Sequence, residues 1–360
     1  MNAPRRDPGG GAAAAAGRPE GRFLRALRRL PVDATPVWLM RQAGRSLPEY
    51  RRLRERYSLT EIVAQPELCA EVTLQPVHRL GVDAAVMFAD IMLPVRGMGV
   101  EVELVEEVGP VIARPIRSRE AVEALGEPEG EEAAPQVIEA VRHVVEASPV
   151  PVIGFCGAPF TLASYLVEGR PSRDHALVKA FMYREPEAFD RLLGKLAAVM
   201  AGYLAAQVAA GVEAVQLFDS WVGALSVEDY EERIAPHTRA MLAALAPLGV
   251  PRIHFGTGTA GLLEAIAATG PDVVGLDWRV PLDVGWRRVG LDRGVQGNLD
   301  PAVLLGPSPL VRRRVEEVLR RAGGRPGHVF NLGHGVLPET PLENLQALVE
   351  VVHRGVEVHV

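Results

Sequence analysis

Eight short apolar runs, several rich in β-branched residues, recur along this chain with helical stretches between them. They are PVWLM (36–40), AAVMF (84–88), PVIGF (151–155), AVQLF (214–218), PRIHF (251–255), DVVGL (272–276), GVQGN (294–298) and HVFNL (328–332). The gaps hold amphipathic patterns at 186–210, 227–247, 309–322 and 342–353. Strand and helix signals that alternate in this way predict βα units and a parallel sheet. Eight such units predict a single (β/α)8 barrel of the TIM type. VEVELVEEVGPVIARPI alternates, so an extra hairpin or lobe is expected near 96–135, with its turn at Gly109-Pro110 and an acidic loop at 126–135. Residues 1–20 read as a disordered tail and 21–360 as one catalytic domain.

In such a barrel the chemistry sits where the strands end. The residues just past the runs are Arg41 and Arg45, Asp90, CGAPFTLASY, DSW (219–221), GTGTAG (256–261), Asp277, NLDP and GHGVLP (333–338). Polar and glycine-rich segments therefore converge on one face. RQAGR at a strand end suits an anion, because guanidinium groups grip carboxylates with a planar fork. Asp90 lies among apolar neighbours, where a carboxylate is costly without donors; the plainer reading is a helix cap. His334 stands between glycines that let backbone approach a ligand closely. Ser220 and Tyr165 carry weaker signals.

Composition narrows the classes. The net charge of −6 argues against bulk nucleic-acid binding. Lysine occurs only at Lys179 and Lys195, so the cations are nearly all arginine. Cys69 and Cys156 form no CxxC and no metal spacing, which predicts a reduced, cytoplasmic protein without a metal site. No apolar run approaches a membrane span on this reading, and the alanines at 12–16 are too few for a signal-peptide core. No GxSxG surrounds Ser220, and nothing in the spacing makes a triad of Ser220, Asp219 and His334. FGTGTAG with Asp277 beyond it matches a dinucleotide fingerprint locally. Its place at the fifth of eight repeats favours a turn that presents backbone amides to a ligand.

PVWLMRQAGR with LPEY, GFCGAPFTLASYLVEG, FADI, FDSWVG, GLDW, QGNLDP and FNLGHGVLPETP follow one another in order. Together they resemble the uroporphyrinogen decarboxylase family of haem and tetrapyrrole synthesis, from about residue 20 onward. Ser46 departs from the family's usual tyrosine. The resemblance implies a distorted barrel, usually a homodimer, that acts without metal or organic cofactor. Its substrate would be the small molecule uroporphyrinogen III, whose four acetates lose CO2 to give coproporphyrinogen III. Carried over, the catalytic residues are Asp90, Arg41 and Tyr165. Substrate contacts would come from Arg41, Gln42, Ala43, Gly44, Arg45, Asp90, Tyr165, Ser220 and His334. Three rivals remain: a zinc-dependent methyltransferase on the same barrel, a tetrapyrrole carrier without chemistry, and an NAD-binding protein.

Overall fold

The computed structural model describes residues 20–44, 46–105 and 108–356. Seven of the eight expected runs form one parallel sheet. Its strands are β1 (Ala85–Val86), β4 (Val152–Gly157), β5 (Ala214–Asp219), β6 (Arg252–Gly256), β7 (Val273–Gly275), β8 (Gly294–Gln296) and β9 (His328–Val329), ordered as in the chain. Strands that pair in parallel with helices on their outer face must be apolar on both sides. β4, β7 and β8 are accordingly buried at every position. The sheet curls, so that distant strands meet in the middle. Gln296 Nε2 on β8 donates to Gln216 Oε1 on β5 at 3.1 Å, and Trp38 Nε1 donates to Gln296 Oε1 at 2.9 Å. Two strands separate β5 from β8, so this bond crosses the barrel interior.

The first run departs from expectation. Residues 36–40 form no strand, only an isolated parallel bridge between Val37 and Phe330. Side chains replace the missing ladder. Val37 N–H donates to Asp83 Oδ2, Leu39 N–H to Gln42 Oε1, and Met40 N–H to Asn331 Oδ1, all within 2.8–2.9 Å. Gln42 Nε2 then reaches the Ala84 carbonyl beside β1. The barrel is thus distorted, with its seam closed by Asp, Gln and Asn side chains.

The extra hairpin is present as β2 (Val102–Val105) paired antiparallel with β3 (Gly109–Ile112). Its turn is not at Gly109-Pro110 as the sequence suggests. Val105 faces Gly109, so the chain reverses just before them, and Pro110 lies inside β3. A two-stranded ribbon tolerates proline because each strand has a free edge. The pattern at 227–247 is also interrupted: Val227–Asp229 passes into a π-turn at Tyr230–Ile234 before Ala235–Leu245 resumes. Pro236 lacks the N–H that a continuous helix would require there. The acidic 126–135 loop contains one short 3-10 turn, Gly130–Ala133. The expected tail lies outside the described residues, apart from Glu20.

The helix Pro186–Ala209 is long and apolar enough to cross a membrane, which the sequence reading passed over. It packs against β4 and β5, and its buried polar groups have partners in the fold. Gln207 exchanges two 3.0 Å hydrogen bonds with the backbone of Phe155. Lys195 Nζ donates to the carbonyls of Glu123 and Leu125.

The interior amide network yields a stability prediction. Trp38→Phe keeps the aromatic bulk but strands the Gln296 carbonyl in a dry interior. Losing one partner of a buried pair costs about 1–3 kcal/mol. Urea unfolding should show that loss in the midpoint, with the slope unchanged.

Candidate active site

The site begins at the seam. Beyond Met40 the chain must reverse, and Arg41 takes a left-handed backbone, φ 60. Side chains other than glycine rarely adopt that conformation, at a cost of about 1–3 kcal/mol. The conformation is fixed from both sides. Gln42 N–H returns to the Leu39 carbonyl at 2.8 Å, and Val336 N–H binds the Met40 carbonyl at 2.9 Å. The latter bond brings the loop around His334 against Arg41. A Cβ on Gly335 would stand 2.5 Å from Arg41 Cδ, so only glycine leaves room for this arginine. Arg41 is exposed, and its head has no hydrogen bond or ion pair among the described residues.

The next residues are anchored rather than open. Gln42 is buried, and its amide is spent on Leu39 and Ala84. Ala43, Leu47, Tyr50, Ile62 and Val72 form a small second core, with Phe88 against it. Gly44, at φ 102, packs beneath Tyr50 and Phe88, whose rings meet edge-on at 5.5 Å. Ser46 is buried too. Arg45 lies outside the described residues.

Asp90 follows β1. Thr73 Oγ1 accepts from Phe88 N–H, and the Cys69 thiol donates to the Phe88 carbonyl. These contacts steer the strand end. Asp90 Oδ1 then accepts Met92 N–H at 2.8 Å, and its carbonyl accepts Leu93 N–H. This turn starts the helix Leu93–Gly97. Oδ1 thus closes an Asx turn just ahead of the helix; the cap position itself is Met92 and takes no side-chain bond, so Asp90 is not the helix cap that the sequence suggests. The other carboxylate oxygen, Oδ2, has no partner among the described residues. Burial pushes the Asp90 carboxyl above the ordinary aspartate range; the Met92 N–H, Arg41 and Arg96 pull the other way. Desolvation is the larger influence, and Arg41 is a larger compensating charge than Arg96.

Tyr165 comes from the helix Pro159–Glu168, which starts directly after β4. Burial and then the charge of Asp90 raise its phenol above the usual value, against a hydrogen bond with Trp221 and the charge of Arg41. At neutral pH it remains a neutral O–H. Its ring meets Trp221 edge-on at 5.8 Å. A buried network fixes this helix to the end of β5. Thr161 Oγ1 donates to Asp219 Oδ1 at 2.7 Å and accepts Trp221 N–H, while His254 Nε2 lies 3.3 Å from Asp219 Oδ2. Ser220 stands half-buried between them, its carbonyl bonded to Thr257. Asp219 thus faces Thr161 and His254, consistent with rejecting a triad through Ser220 and His334. His334 is half-buried.

The sequence reading missed an aromatic floor. Phe155 and Phe218 meet edge-on at 5.3 Å, and Phe218 and Phe255 at 6.2 Å. Phe218 shares a strand face with Gln216, whose bond crosses the interior, so the three rings line the barrel below the strand ends. The signal was available: four successive apolar runs end on phenylalanine, at Phe88, Phe155, Phe218 and Phe255. The glycine turn is also reassigned. Asp277 Oδ2 accepts Gly258 N–H at 2.6 Å, so the acid of the dinucleotide-like pattern occupies the turn's own amide. Among the described residues no group of three His, Cys, Asp or Glu side chains gathers as a metal site, and both cysteines are free and buried.

The chain matches the family model for uroporphyrinogen decarboxylase (URO-D) over residues 18–355. A uroporphyrinogen decarboxylase of Sorangium cellulosum is 55% identical, with 92% of this chain and 95% of that one covered. Another, from Thermus thermophilus, is 56% identical over 92% and 96%. Among solved structures, a methyltransferase from Methanosarcina mazei superposes with a TM-score of 0.77 at 22% identity, covering 92% of this chain and 97% of that one. That likeness shows the barrel fold alone.

Gly335→Ala tests how the site is held. The added methyl displaces Arg41 without touching Asp90. KM for substrate should rise several-fold while kcat and the melting temperature change little; steady-state kinetics and a thermal scan read the two. On the length and order of these matches, the chain belongs to the uroporphyrinogen decarboxylase family.

Proposed function

We propose that this chain removes CO2 from the four acetate side chains of uroporphyrinogen III, leaving four methyl groups and coproporphyrinogen III. The observation that carries the reading is a carboxyl, Asp90, held above the ordinary aspartate range by burial and within electrostatic reach of Arg41, in a chain matched nearly end to end by relatives of that name. Loss of CO2 from an acetate would leave a carbanion unless the pyrrole first becomes an electron sink. A proton added to a ring carbon creates that sink and places positive charge on the ring. CO2 then departs, its bonding pair neutralises the ring as an exocyclic methylene, a second proton completes the methyl group, and the proton first added to the ring carbon leaves to restore the pyrrole.

Asp90 Oδ2 is suited to accept from pyrrole N–H groups and to meet the growing charge. Arg41 binds and orients a carboxylate; its very high pKa makes it a poor proton donor. Tyr165, held as a neutral phenol, donates a hydrogen bond beside Asp90. Ser220 and His334 face peripheral carboxylates, and Arg45 would join them. The macrocycle supplies its own electron sink, so on this reading no metal or organic cofactor is required. A homodimer located in the cytoplasm completes the proposal; two free, buried thiols fit a reducing compartment. Anaerobic incubation with uroporphyrinogen should release four CO2 in steps, before and after dialysis against chelator. A metal-dependent loss and recovery of turnover would overturn the cofactor-free mechanism.

Asp90→Asn separates electrostatics from the Asx turn. Asparagine can still accept Met92 N–H, so the fold should persist. Removing one preorganised charge typically costs about 3–4 kcal/mol, or roughly 10²–10³ in rate. We expect kcat to fall by about that factor with a smaller change in KM. Near-normal kcat would leave only the Asx turn ahead of the helix. The pH profile gives a second reading. A raised carboxyl pKa means that Asp90 gains its proton above the ordinary aspartate range as pH falls. The acid limb of wild-type kcat/KM should therefore lie above that range and be absent from the residual activity of Asp90→Asn, which controls for titration of the substrate. Folding responds in the opposite direction: the ionised form is disfavoured when folded, so this group's contribution to stability improves as pH falls through its folded pKa.

Arg41→Lys keeps the charge but loses the fork. KM should rise about tenfold at unchanged net charge. Wild-type KM in that variant would make Arg41 a surface cation.

A further inference from the structure

We propose that Arg279, laid flat on Trp278, is a second carboxylate-binding cation of this site, on the side of the mouth opposite Asp90, Tyr165 and Ser220. The proposal rests on the uroporphyrinogen reading and adds to it a residue that neither strand-end reading nor family motif assigned.

Trp278 and Arg279 follow Asp277 just beyond the end of β7, on the same rim as the other candidates. The His334 loop ties this corner to Arg41. A Cβ on Gly333 would stand 2.4 Å from Trp278 N, and one on Gly335 would stand 2.5 Å from Arg41 Cδ. His334 therefore lies between two glycines, one seated on Trp278 and the other on Arg41. A ligand contacting Arg41 and His334 has Trp278 as its next neighbour.

Arg279 is built rather than loose. Its guanidinium carbon lies 4.1 Å from the Trp278 ring centroid. Nη1 donates to Asp277 Oδ2 at 2.6 Å, and the residue's own backbone N–H donates to Asp277 Oδ1 at 3.0 Å. Stacking and one ion pair fix the plane of the group while using one of its three nitrogens. Nε and Nη2 have no partner among the described residues, and the side chain is 48% exposed. Asp277 does not cancel this cation fully. It is 2% exposed and also accepts Gly258 N–H at 2.6 Å, so its single charge is shared among three donors. An immobilised guanidinium with a free edge is a fork ready for a carboxylate.

The substrate makes such a group necessary. Eight carboxylates are distributed around the macrocycle, so anion contacts on one side leave the other side uncompensated. Arg41 follows the first segment, and Asp90, Tyr165 and Ser220 follow β1, β4 and β5. The sector of β6 to β8 otherwise contributes glycines, Asp277 and Asn298, whose amide is spent on the carbonyls of Asp277 and Val280. Arg252 and Arg293 belong to the opposite end of the strands and are bonded to Asp272 and to the Pro271 carbonyl. Arg279 is the cation that serves this sector.

The test compares Arg279→Gln, Arg279→Lys and a distant control, Arg314→Gln, whose parent pairs with Glu317 on an outer helix. KM for uroporphyrinogen should rise about tenfold in Arg279→Gln, with kcat within about twofold. Lysine should recover only part of this, because it loses the fork and the flat stack. Raising ionic strength should shrink the gap between wild type and Arg279→Gln, since wild type loses an attraction that the variant lacks. Binding is measured separately, by tryptophan fluorescence in an Asp90→Asn background with and without Arg279→Gln. A roughly tenfold weaker Kd supports the proposal whatever the turnover of Asp90→Asn, so failure of the catalytic reading and failure of this one are distinguishable. Unchanged KM, Kd and salt dependence in Arg279→Gln would overturn it. So would a fall in melting temperature and kcat at constant KM, which would make Arg279 a clamp for Asp277 and nothing more.

Discussion

The seam between residues 36–40 and the ends of β1 and β9 is the constraint on which the site depends. A complete eighth strand would have closed the barrel with a backbone ladder and continued straight past its rim. Here one bridge and four side chains do the closing: Asp83, Gln42, Asn331 and, from the interior, Trp38. Each satisfies a backbone group or a buried amide that would otherwise be left in a dry environment, where the penalty is about 1–3 kcal/mol. Because the ladder stops at Val37, the chain can turn at Arg41. The chain reverses there through a left-handed backbone, and Gly335 gives the arginine side chain space. Closure of the fold and placement of the first cation are the same set of contacts.

A second dependence runs through Asp219. It is fully buried, yet it touches Thr161 on the helix that carries Tyr165 and precedes Ser220 and Trp221 on β5. Buried carboxylates persist where hydrogen bonds meet them. Thr161, His254 and the Trp221 N–H form a connected set, so the helix and strand end move as one body. The catalytic candidates on β4 and β5 are thereby held relative to each other by a group that is itself shielded from substrate. An apolar replacement would pack there, but it would not fix the helix in one azimuth about the barrel.

Much of this was legible in the sequence, and the exceptions share a physical cause. Seven apolar runs became strands because fully buried parallel strands need apolar residues on both faces. The eighth, PVWLM, carries the same composition but has Asp83, Gln42 and Asn331 nearby to take its N–H groups, and a periodicity argument does not see partners distant in sequence. Gly109-Pro110 looked like a turn for the same local reason; the register of the ribbon decided otherwise. Gln42 looked like a ligand contact because it lies between Arg41 and Arg45, while its amide is buried in the seam. GTGTAG with Asp277 looked like a nucleotide turn, yet the acid and the amide bind each other. Asp90 looked like a helix cap, yet its Oδ1 closes an Asx turn ahead of the helix and its Oδ2 is left without a partner among the described residues.

The charge layout follows from these placements. The chain is net acidic at −6, but Arg41 has no ion pair among the described residues and Arg279 shares the buried Asp277 with two backbone N–H groups. Asp90 lacks enough nearby cationic compensation to bring its pKa down to the ordinary aspartate range, since burial outweighs Arg41 and Arg96. A carboxylate in that state is under-solvated before substrate arrives. It gains most when positive charge develops next to it, which is the condition for stabilising a transition state more than a ground state. In the proposed reaction the rings of Phe155, Phe218 and Phe255, which line the barrel below the strand ends, would offer the neutral macrocycle an apolar surface.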